Sequence, residues 1–279
     1  MKRLQTRLLT AAALLALPAG ASAHRQWLLP SATVFSGAEN YVTVDAAASN
    51  DLFFADHRGS NLETIKVWAP DGSPGQIENG VNGKVRSTFE VKLDKPGTWK
   101  IGTQTSMVTG SFKLNGEERR VGGRPGMAPT GAAAPISVAD IPAGATDIKL
   151  TEMVGRNEIY ITNGEPSTGI FKPAGKGIEF EPVTHPDELV VGEKAKFRFL
   201  IDGKAAAGLK VTVVPGGKRY RNDDGARELT TGADGVVGID WPAAGMYWIN
   251  ATATDDKVSE PKAQQRRLNY MTTVEVLLP

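Results

Sequence analysis

Short apolar or alternating runs, each bounded by Gly, Pro, Asn or Asp, follow one another along the chain and restrict it to β-structure. Strand-length runs at such spacing, with turn residues between them, are typical of β-sandwiches. The clearest runs are 41–45, 65–68, 87–93, 98–103, 158–162, 194–201, 210–214, 236–240, 247–253 and 271–277. No segment has the period of an amphipathic helix of about ten or more residues. We therefore predict an all-β protein, in keeping with its 31 Gly and 17 Pro.

Two halves of the chain repeat one pattern, in which a strand ends at a Pro turn and a later strand begins after Pro, Gly and an aromatic residue. The first half reads I-K-V-W-A-P-D-G at 65–72 and P-G-T-W at 96–99; the second reads K-V-T-V-V-P-G-G at 210–217 and P-A-A-G-M-Y-W at 242–248. Such entries are common in immunoglobulin-like or transthyretin-like sandwiches, where the ring packs between sheets. The pattern predicts two β-sandwich domains.

The predicted domains cover 24–175 and 178–279, because the Gly- and Pro-rich stretch 172–177 has the composition of a linker. Within the first domain, the segment 115–135 contains the run G-G-R-P-G-M-A-P-T-G-A-A-A-P, which has no periodicity. Segments of this composition lack the side chains to form a core. We expect 115–135 to be a mobile loop.

The first 23 residues have the pattern of a secretory signal peptide. Lys2, Arg3 and Arg7 precede a largely apolar run at 8–17, and the segment ends with A-S-A at 21–23. The apolar run is too short to span a bilayer, and A-x-A is a cleavage signal. We predict cleavage after Ala23 and a periplasmic protein. No later run approaches the roughly 18 apolar residues of a membrane span, so we expect no transmembrane segment after cleavage.

The composition excludes several functional classes. With 32 Lys+Arg against 31 Asp+Glu, the chain has no basic field, and we expect no nucleic-acid partner. Because the chain has no Cys, it forms no disulfide, thiolate metal site or thiol nucleophile. Phosphate-binding, zinc-protease and serine-hydrolase motifs are missing. The three histidines, His24, His57 and His185, remain as the scarce chemical groups.

Cleavage after Ala23 would make His24 the first residue of the mature protein. Its α-amine, with a pKa of about 8, and its imidazole Nδ1 can then close a chelate on one metal ion. A second His would complete a T-shaped arrangement of three nitrogens, the histidine brace, which suits Cu(II). The alternative is that the cleavage site falls before a His that has no role.

His57 and His185 are candidates for further ligands. His57 follows Asp51 and Asp56, whose carboxylates would favour a cation and could orient the imidazole or donate oxygen to the metal. The alternative is a solvated loop histidine. His185 precedes Pro186 at the start of the second domain, where it is either a ligand at the domain interface or a turn residue fixed by the proline.

For two further groups of residues, the sequence likewise allows either a ligand-binding role or a structural one. The cations of K-R-Y-R at 218–221 could hold an anionic substrate or partner, or form a solvated turn. Thioethers of Met107, Met127 and Met153 could bind Cu(I), or fill the core.

Three motifs carry a resemblance to a known family. They are A-H-R-Q-W-L-L-P-S-A-T-V-F-S-G at 23–37, V-T-V-D-A-A-A-S-N-D-L-F-F-A-D-H-R at 42–58 and E-F-E-P-V-T-H-P-D-E-L-V-V-G at 179–192. The chain resembles exported bacterial β-proteins filed as a domain of unknown function and often labelled NikM-type nickel-uptake or cobalt/nickel transport proteins. The resemblance implies a periplasmic accessory to metal uptake that works with an outer-membrane receptor or an inner-membrane metal transporter. The matching positions are His24, Trp27, Asp45, Asn50, Asp51, His57 and His185.

The sequence thus favours a non-enzymatic periplasmic metal-binding protein. Its expected ligands are His24, with His57 or His185, and Asp51 or Asp56. Nickel or cobalt follows from the family label, whereas copper follows from the nitrogen ligands. Two alternatives stay open. One is an enzyme resembling the copper-dependent lytic polysaccharide monooxygenases; the other is a β-sandwich interaction module without a metal.

Overall fold

The computed structural model describes residues 24–123 and 134–279. The predicted signal peptide, Met127 and the central part of the predicted loop 115–135 lie outside these residues. Within the described ranges, the helical elements are three short 3₁₀ turns, Leu62–Thr64, Gly169–Phe171 and Lys218–Tyr220. Everything else that is regular is β-strand, so the all-β prediction is confirmed.

A five-stranded sheet covers one side of the first half. Its strands, numbered along the chain, follow the order β1-β3-β7-β6, with β4 paired to β3. In β7, S-T-F-E-V-K-L, every second residue is buried, because one face packs on a core while the other meets solvent. The strands are β1 Arg25–Pro30, β3 Asn40–Ser49, β4 Arg58–Gly59, β6 Glu78–Val81 and β7 Ser87–Leu93.

A ten-stranded sheet runs through both halves in the order β16-β15-β18-β19-β10-β8-β5, with β12 on β19, β2 on β10 and β9 on β8. Its strands are β2 Val34–Phe35, β5 Lys66–Trp68, β8 Gly97–Leu114, β9 Glu117–Val121, β10 Thr146–Asn163, β12 Leu189–Val190, β15 Lys210–Pro215, β16 Arg227–Thr230, β18 Gly245–Asp255 and β19 Gln265–Leu277.

A four-stranded sheet faces the second half of that long sheet. It consists of β11 Ile178–Pro182, β13 Lys194–Ile201, β14 Lys204–Ala205 and β17 Val236–Asp240. One core lies between the five-stranded and ten-stranded sheets around Phe89 and Trp99. A second core lies between the ten-stranded and four-stranded sheets around Phe197 and Tyr270. Burial of these apolar side chains stabilises each sandwich.

The two sandwiches share a continuous sheet. Strand β10 of the first half pairs in parallel with β19 of the second, from Thr151 opposite Gln265 to Ile159 opposite Thr273. The sequence predicts two domains joined by the stretch 172–177. It does not show that a strand of the first half pairs with a strand of the second, because these strands are far apart in the chain. Backbone hydrogen bonds across β10 and β19 therefore fix the two halves to each other.

Strands β8 and β10 extend well beyond the predicted runs 98–103 and 158–162. Strand β9 returns along β8 through a turn at Asn115 and Gly116, whose φ angles are 53° and 81°. Two consecutive positive φ values define a type I′ turn, the preferred connection of a two-residue hairpin. Residues 117–121 are therefore strand and not part of a mobile loop, and the Asn-Gly pair is the signal for it.

Candidate metal centre

His24 and His57 lie at the same end of one strand, β3, on opposite sides of it. Arg25 in β1 pairs with Ser49, and Arg58 in β4 pairs with Ala48, so the residues just before Arg25 and Arg58 flank the end of β3. Neighbouring strands are about 4.8 Å apart, which puts the two flanking backbones within reach of each other's side chains. The fold thus brings together two histidines that are far apart in sequence.

The imidazole rings of His24 and His57 stack face to face. Their centroids are 3.6 Å apart and their planes are inclined by only 2°. The lone pair of an imidazole nitrogen lies in the plane of the ring. Two parallel, stacked rings therefore direct their lone pairs to different places, and one ring must tilt before both can bind one ion. Both side chains are exposed and have room to tilt. Metal–nitrogen bonds of about 2 Å need the two nitrogens to approach within about 4 Å, which this separation allows.

The loop that carries His57 is closed by hydrogen bonds to the carboxylate of Asp56. One oxygen accepts from the backbone N–H of Asn50 at 2.9 Å and the other from its Nδ2 at 3.3 Å. Desolvation acts to raise the pKa of Asp56, but the hydrogen bonds from Asn50, together with those from the backbone N–H groups of Asp51 and Asp56, outweigh it, and the pKa lies below its usual value. Asp56 therefore stays ionised and fixes the loop, and the backbone oxygen of Asp51 accepts from the N–H of Phe54 in the same turn.

Two tryptophans anchor β1, the strand that begins next to His24. Nε1 of Trp27 donates to Oγ of Ser49 at 2.7 Å, and Nε1 of Trp248 donates to the backbone oxygen of Gln26 at 3.0 Å. Trp27 is 1% exposed. Buried indole N–H groups with partners hold a strand in one position, because leaving the N–H unpaired is costly.

We expect Trp27→Phe to lower the free energy of unfolding by about 1–2 kcal/mol, from the lost hydrogen bond and the smaller ring. Denaturant unfolding followed by tryptophan fluorescence and circular dichroism measures the loss. Trp68→Phe is the matched control, because Trp68 is only half-buried and its indole N–H has no hydrogen bond in the described part of the chain. Equal losses in the two variants would contradict the anchoring role of Trp27.

A loop of the second half, 216–226, packs against this end of the first half. Arg25 donates to Asp224 at 2.6 Å, and this bond lowers the pKa of the aspartate. The guanidinium of Arg219 lies 4.9 Å from the centre of the Phe54 ring. The cationic tip 218–221, singled out in the sequence, thus contacts the loop that carries His57. Its Tyr220 is 87% exposed.

His185 occupies a different environment from the paired histidines. Its Nδ1 accepts from the backbone N–H of Asp187 at 3.2 Å, so the proton of the neutral ring is on Nε2. Nε2 lies 3.1 Å from Oγ1 of Thr98 and 3.3 Å from the backbone oxygen of Ser167. Desolvation lowers the pKa of His185 and keeps it neutral. Both nitrogens are used by the protein, which favours the turn role over the ligand role that the sequence left open.

Next to His185, the carboxyl of Asp187 is buried and its pKa is well above the usual 3.8. Desolvation is the main cause; Glu275 and Glu188 add negative charge nearby, while the hydroxyl of Thr162 donates a bond of 2.6 Å that acts in the other direction. A raised folded-state pKa means that folding favours the protonated form, so stability falls as the pH rises from about 4 towards that raised value.

Asp187→Asn is therefore expected to raise the melting temperature at pH 7 by a few degrees, which corresponds to about 1 kcal/mol in a chain of this size. The gain should shrink as the pH falls towards 4, because the wild-type carboxyl is then protonated in both states. Melting curves from pH 4 to pH 8 measure it. If the melting temperature of Asp187→Asn rose by the same amount at every pH, ionisation of Asp187 would not be the cause.

The structure brings together His24 and His57, but not the full predicted ligand set. Within residues 24–123 and 134–279, no group of three or more His, Cys, Asp or Glu side chains is placed to hold a metal. A histidine brace needs only two imidazoles, since its third nitrogen is the terminal amine. The two exposed imidazoles in contact fit that donor set. Cleavage after Ala23 would give His24 the terminal amine.

The residues that position this pair were not predicted from the sequence. Trp248 and Asp224 reach β1 from the second half of the chain, and Arg219 of the same half reaches Phe54 in the His57 loop. The cations of the tip 218–221 were the available signal, although their composition also fits a solvated turn.

The structure therefore defines a two-sandwich β-protein with paired histidines at the start of its first strand. The chain belongs to the family described as a domain of unknown function, DUF4198, which matches residues 21–255. No curated protein matches the chain. Within the described residues, no helix is long and apolar enough to cross a membrane.

Several solved structures are similar to the chain at low identity. The D0-D1 domain of intimin is 11% identical and covers 90% of this chain and 97% of its own, with a TM-score of 0.22. A DUF4785 family protein from Legionella pneumophila is 8% identical over 80% of this chain and 50% of its own, with a TM-score of 0.22. The mouse nectin-like molecule 4 ectodomain (Ig1–Ig3) is 12% identical over 92% and 65%, with a TM-score of 0.19.

Proposed function

We propose that this protein is a non-enzymatic periplasmic metal-binding protein whose site is a histidine brace formed by His24 and His57. The observation that carries the proposal is the contact between these two imidazoles at the predicted cleavage site. After cleavage, the amine and one imidazole nitrogen of His24 form a chelate, and His57 supplies the third nitrogen.

Copper suits this set of ligands best. Cu(II) prefers a tetragonal arrangement of nitrogens and binds nitrogen sites more tightly than Ni(II) or Co(II). The resemblance to proteins labelled as nickel or cobalt transport proteins suggests a role in metal uptake or handling, with a receptor or a membrane transporter as partner. Asp56 fixes the His57 loop through Asn50 and adds a negative charge next to the site, which favours a cation.

The experiment compares the processed protein, which begins with His24, with the same protein carrying one additional residue before it. Titration with Cu(II), Ni(II) and Co(II) is expected to show the tightest binding for Cu(II) and about 100-fold weaker binding in the extended form, because its amine is blocked. The extended form is a matched control, since every side chain is kept. Equal affinities in the two forms would contradict the brace.

Two further assays separate this proposal from the alternatives. Peroxide-dependent oxidation of a polysaccharide by the copper-loaded protein would instead support a monooxygenase. An unchanged melting temperature after addition of each of the three metals would support an interaction module, because a ligand of the folded state stabilises it.

A further inference from the structure

Three methionines line one cavity of the ten-stranded sheet. The cavity has a volume of about 430 Å³, and most of its wall comes from β8, β10 and β19. Met107 lies in β8, Met153 in β10 and Met271 in β19. The whole chain has six methionines, and Met1 belongs to the predicted signal peptide. Thioethers are thus concentrated on the wall of this cavity.

Met107 and Met153 form a direct cross-strand pair. They stand opposite each other in the antiparallel register of β8 and β10. Side chains in such a pair project from the same face of the sheet, with Cβ atoms about 4.5–5.5 Å apart. Zinc–thiolate bonds are about 2.3 Å long, and two metal–sulfur bonds of similar length on opposite sides of one ion need sulfurs about 4.6 Å apart. The spacing of the pair therefore matches a linear, two-coordinate ion.

The methionine pair, Met107 and Met153, does not have the packing of core residues. Both side chains are half-buried, and neither belongs to any of the four apolar clusters of the described residues. Met271, by contrast, is 8% exposed and packs in a cluster with Trp27. Its Sδ also accepts from Nδ2 of Asn269 at 3.8 Å. Filling the core, the usual role of methionine, therefore describes Met271 but not the pair.

Met271 also lies too far along the sheet to share an ion with the pair. Met153 stands opposite Arg267 of β19, and Met271 is four residues further along that strand. At about 3.3 Å per residue, the two positions are about 13 Å apart along the strands. Met271 is therefore an internal comparison, because it has the same sulfur in the same cavity but no place in the pair.

We propose that Met107 and Met153 bind one Cu(I) ion through their two thioethers. Thioethers are soft ligands that select Cu(I), whereas the nitrogens of the paired histidines suit Cu(II). Passage of copper between the two sites would rest on the proposed function. Binding at the methionine pair does not, and it is tested in a form of the protein in which the histidine brace cannot assemble.

One neighbouring charge opposes a cation at the methionine pair. Arg267 lines the same cavity opposite Met153, but its side chain is exposed and its guanidinium can turn towards solvent, where water and salt screen it. Arg267→Gln is therefore expected to strengthen Cu(I) binding by about 2-fold or more, because it removes a positive charge close to the ion. Weaker Cu(I) binding in this variant would contradict the proposed site.

The first test is nuclear magnetic resonance of protein labelled with ¹³C at its methionine methyl groups and carrying one additional residue before His24. Ag(I), which has the charge and softness of Cu(I) but keeps one oxidation state, is titrated in chloride-free buffer. The signals of Met107 and Met153, assigned with Met→Leu variants, are expected to shift together, whereas those of Met246 and Met271 stay in place. No shift of the pair, or equal shifts of all four signals, would overturn the proposal.

The second test measures Cu(I) affinity in the same extended form, by competition with bicinchoninate in the presence of ascorbate. Met107→Leu and Met153→Leu are each expected to weaken binding by about 10-fold or more, because each removes one ligand. Leucine has nearly the volume of methionine, so both variants should fold. Met271→Leu is the matched control and should bind Cu(I) as the wild type does. Unchanged affinity in both pair variants, or an equal loss in Met271→Leu, would overturn the assignment.

Discussion

Replacing His57 with alanine in the processed protein is expected to weaken Cu(II) binding by about 100-fold or more. Changes in the residues that only orient a ligand cost roughly 10- to 100-fold, and loss of a ligand costs at least as much. The rings of His24 and His57 are stacked with centroids 3.6 Å apart, so the variant removes one of the two imidazoles available at this end of the strand. Competition titration against a chelator of known affinity measures the change.

His185→Gln is the control for that prediction. Both ring nitrogens of His185 are engaged with Asp187, Thr98 and Ser167, so this variant should lose stability and keep its Cu(II) affinity. The opposite pattern, with weaker copper binding in His185→Gln and wild-type binding in His57→Ala, would assign the ligand role to the other histidine.

The second large effect is expected at Arg266, which binds two aspartates at once. Its guanidinium makes a bidentate pair with Asp255 and another with Asp202, with the shortest bond of each pair at 2.7 Å. Its side chain is only 9% exposed. The arginine lowers the pKa of both aspartates, mainly through these bonds, and it ties β19 to the turn after β13.

Arg266→Ala is expected to lower the free energy of unfolding at pH 7 by about 2–3 kcal/mol. This loss is at or below the lower limit of the about 3–5 kcal/mol that removal of one partner costs in a buried ion pair, because both aspartates are partly exposed. The depressed pKa values contribute stability above the usual value of 3.8, and that contribution is lost as the pH falls through the folded-state values. Denaturant unfolding at pH 7 and at pH values from about 4 down to about 2 measures both effects.

Arg198→Ala is the control for the Arg266 prediction. Arg198 pairs with Glu181 at 3.0 Å, and each side chain is 37% exposed. Exposed ion pairs contribute about 0–1 kcal/mol, so this variant should unfold almost as the wild type does. A loss in Arg266→Ala no larger than in Arg198→Ala would show that the double pair does not stabilise the second sandwich.

Much of the fold could be predicted because the strands obey a local pattern. The predicted runs 87–93, 194–201 and 236–240 coincide with β7, β13 and β17, in which side chains alternate between the core and solvent. The outer parts of β8 and β10 could not be found in this way. The stretch T-Q-T-S in β8 has neither alternation nor apolar character, and pairing with β10 holds it as strand. Farther out, Phe112 of β8 and Leu150 of β10 are buried in a small separate core.

The site could be predicted only in part, for a related reason. The cleavage signal predicted His24 as the mature N-terminus, and the neighbouring carboxylates marked His57 as a candidate ligand in a loop. Their contact depends on β1 and β4 flanking one strand, which is a matter of sheet topology that the sequence does not display. The separate environment of His185 likewise depends on Thr98 and Ser167, which are distant in sequence.

Electron paramagnetic resonance of the Cu(II)-loaded processed protein tests the histidine brace most directly. We expect a spectrum in which three nitrogens, the amine and imidazole of His24 and the imidazole of His57, are coupled to one copper ion. In His57→Ala one of these nitrogens should be lost, and an additional residue before His24 should remove the amine. A spectrum that is identical in all three proteins would contradict the histidine brace.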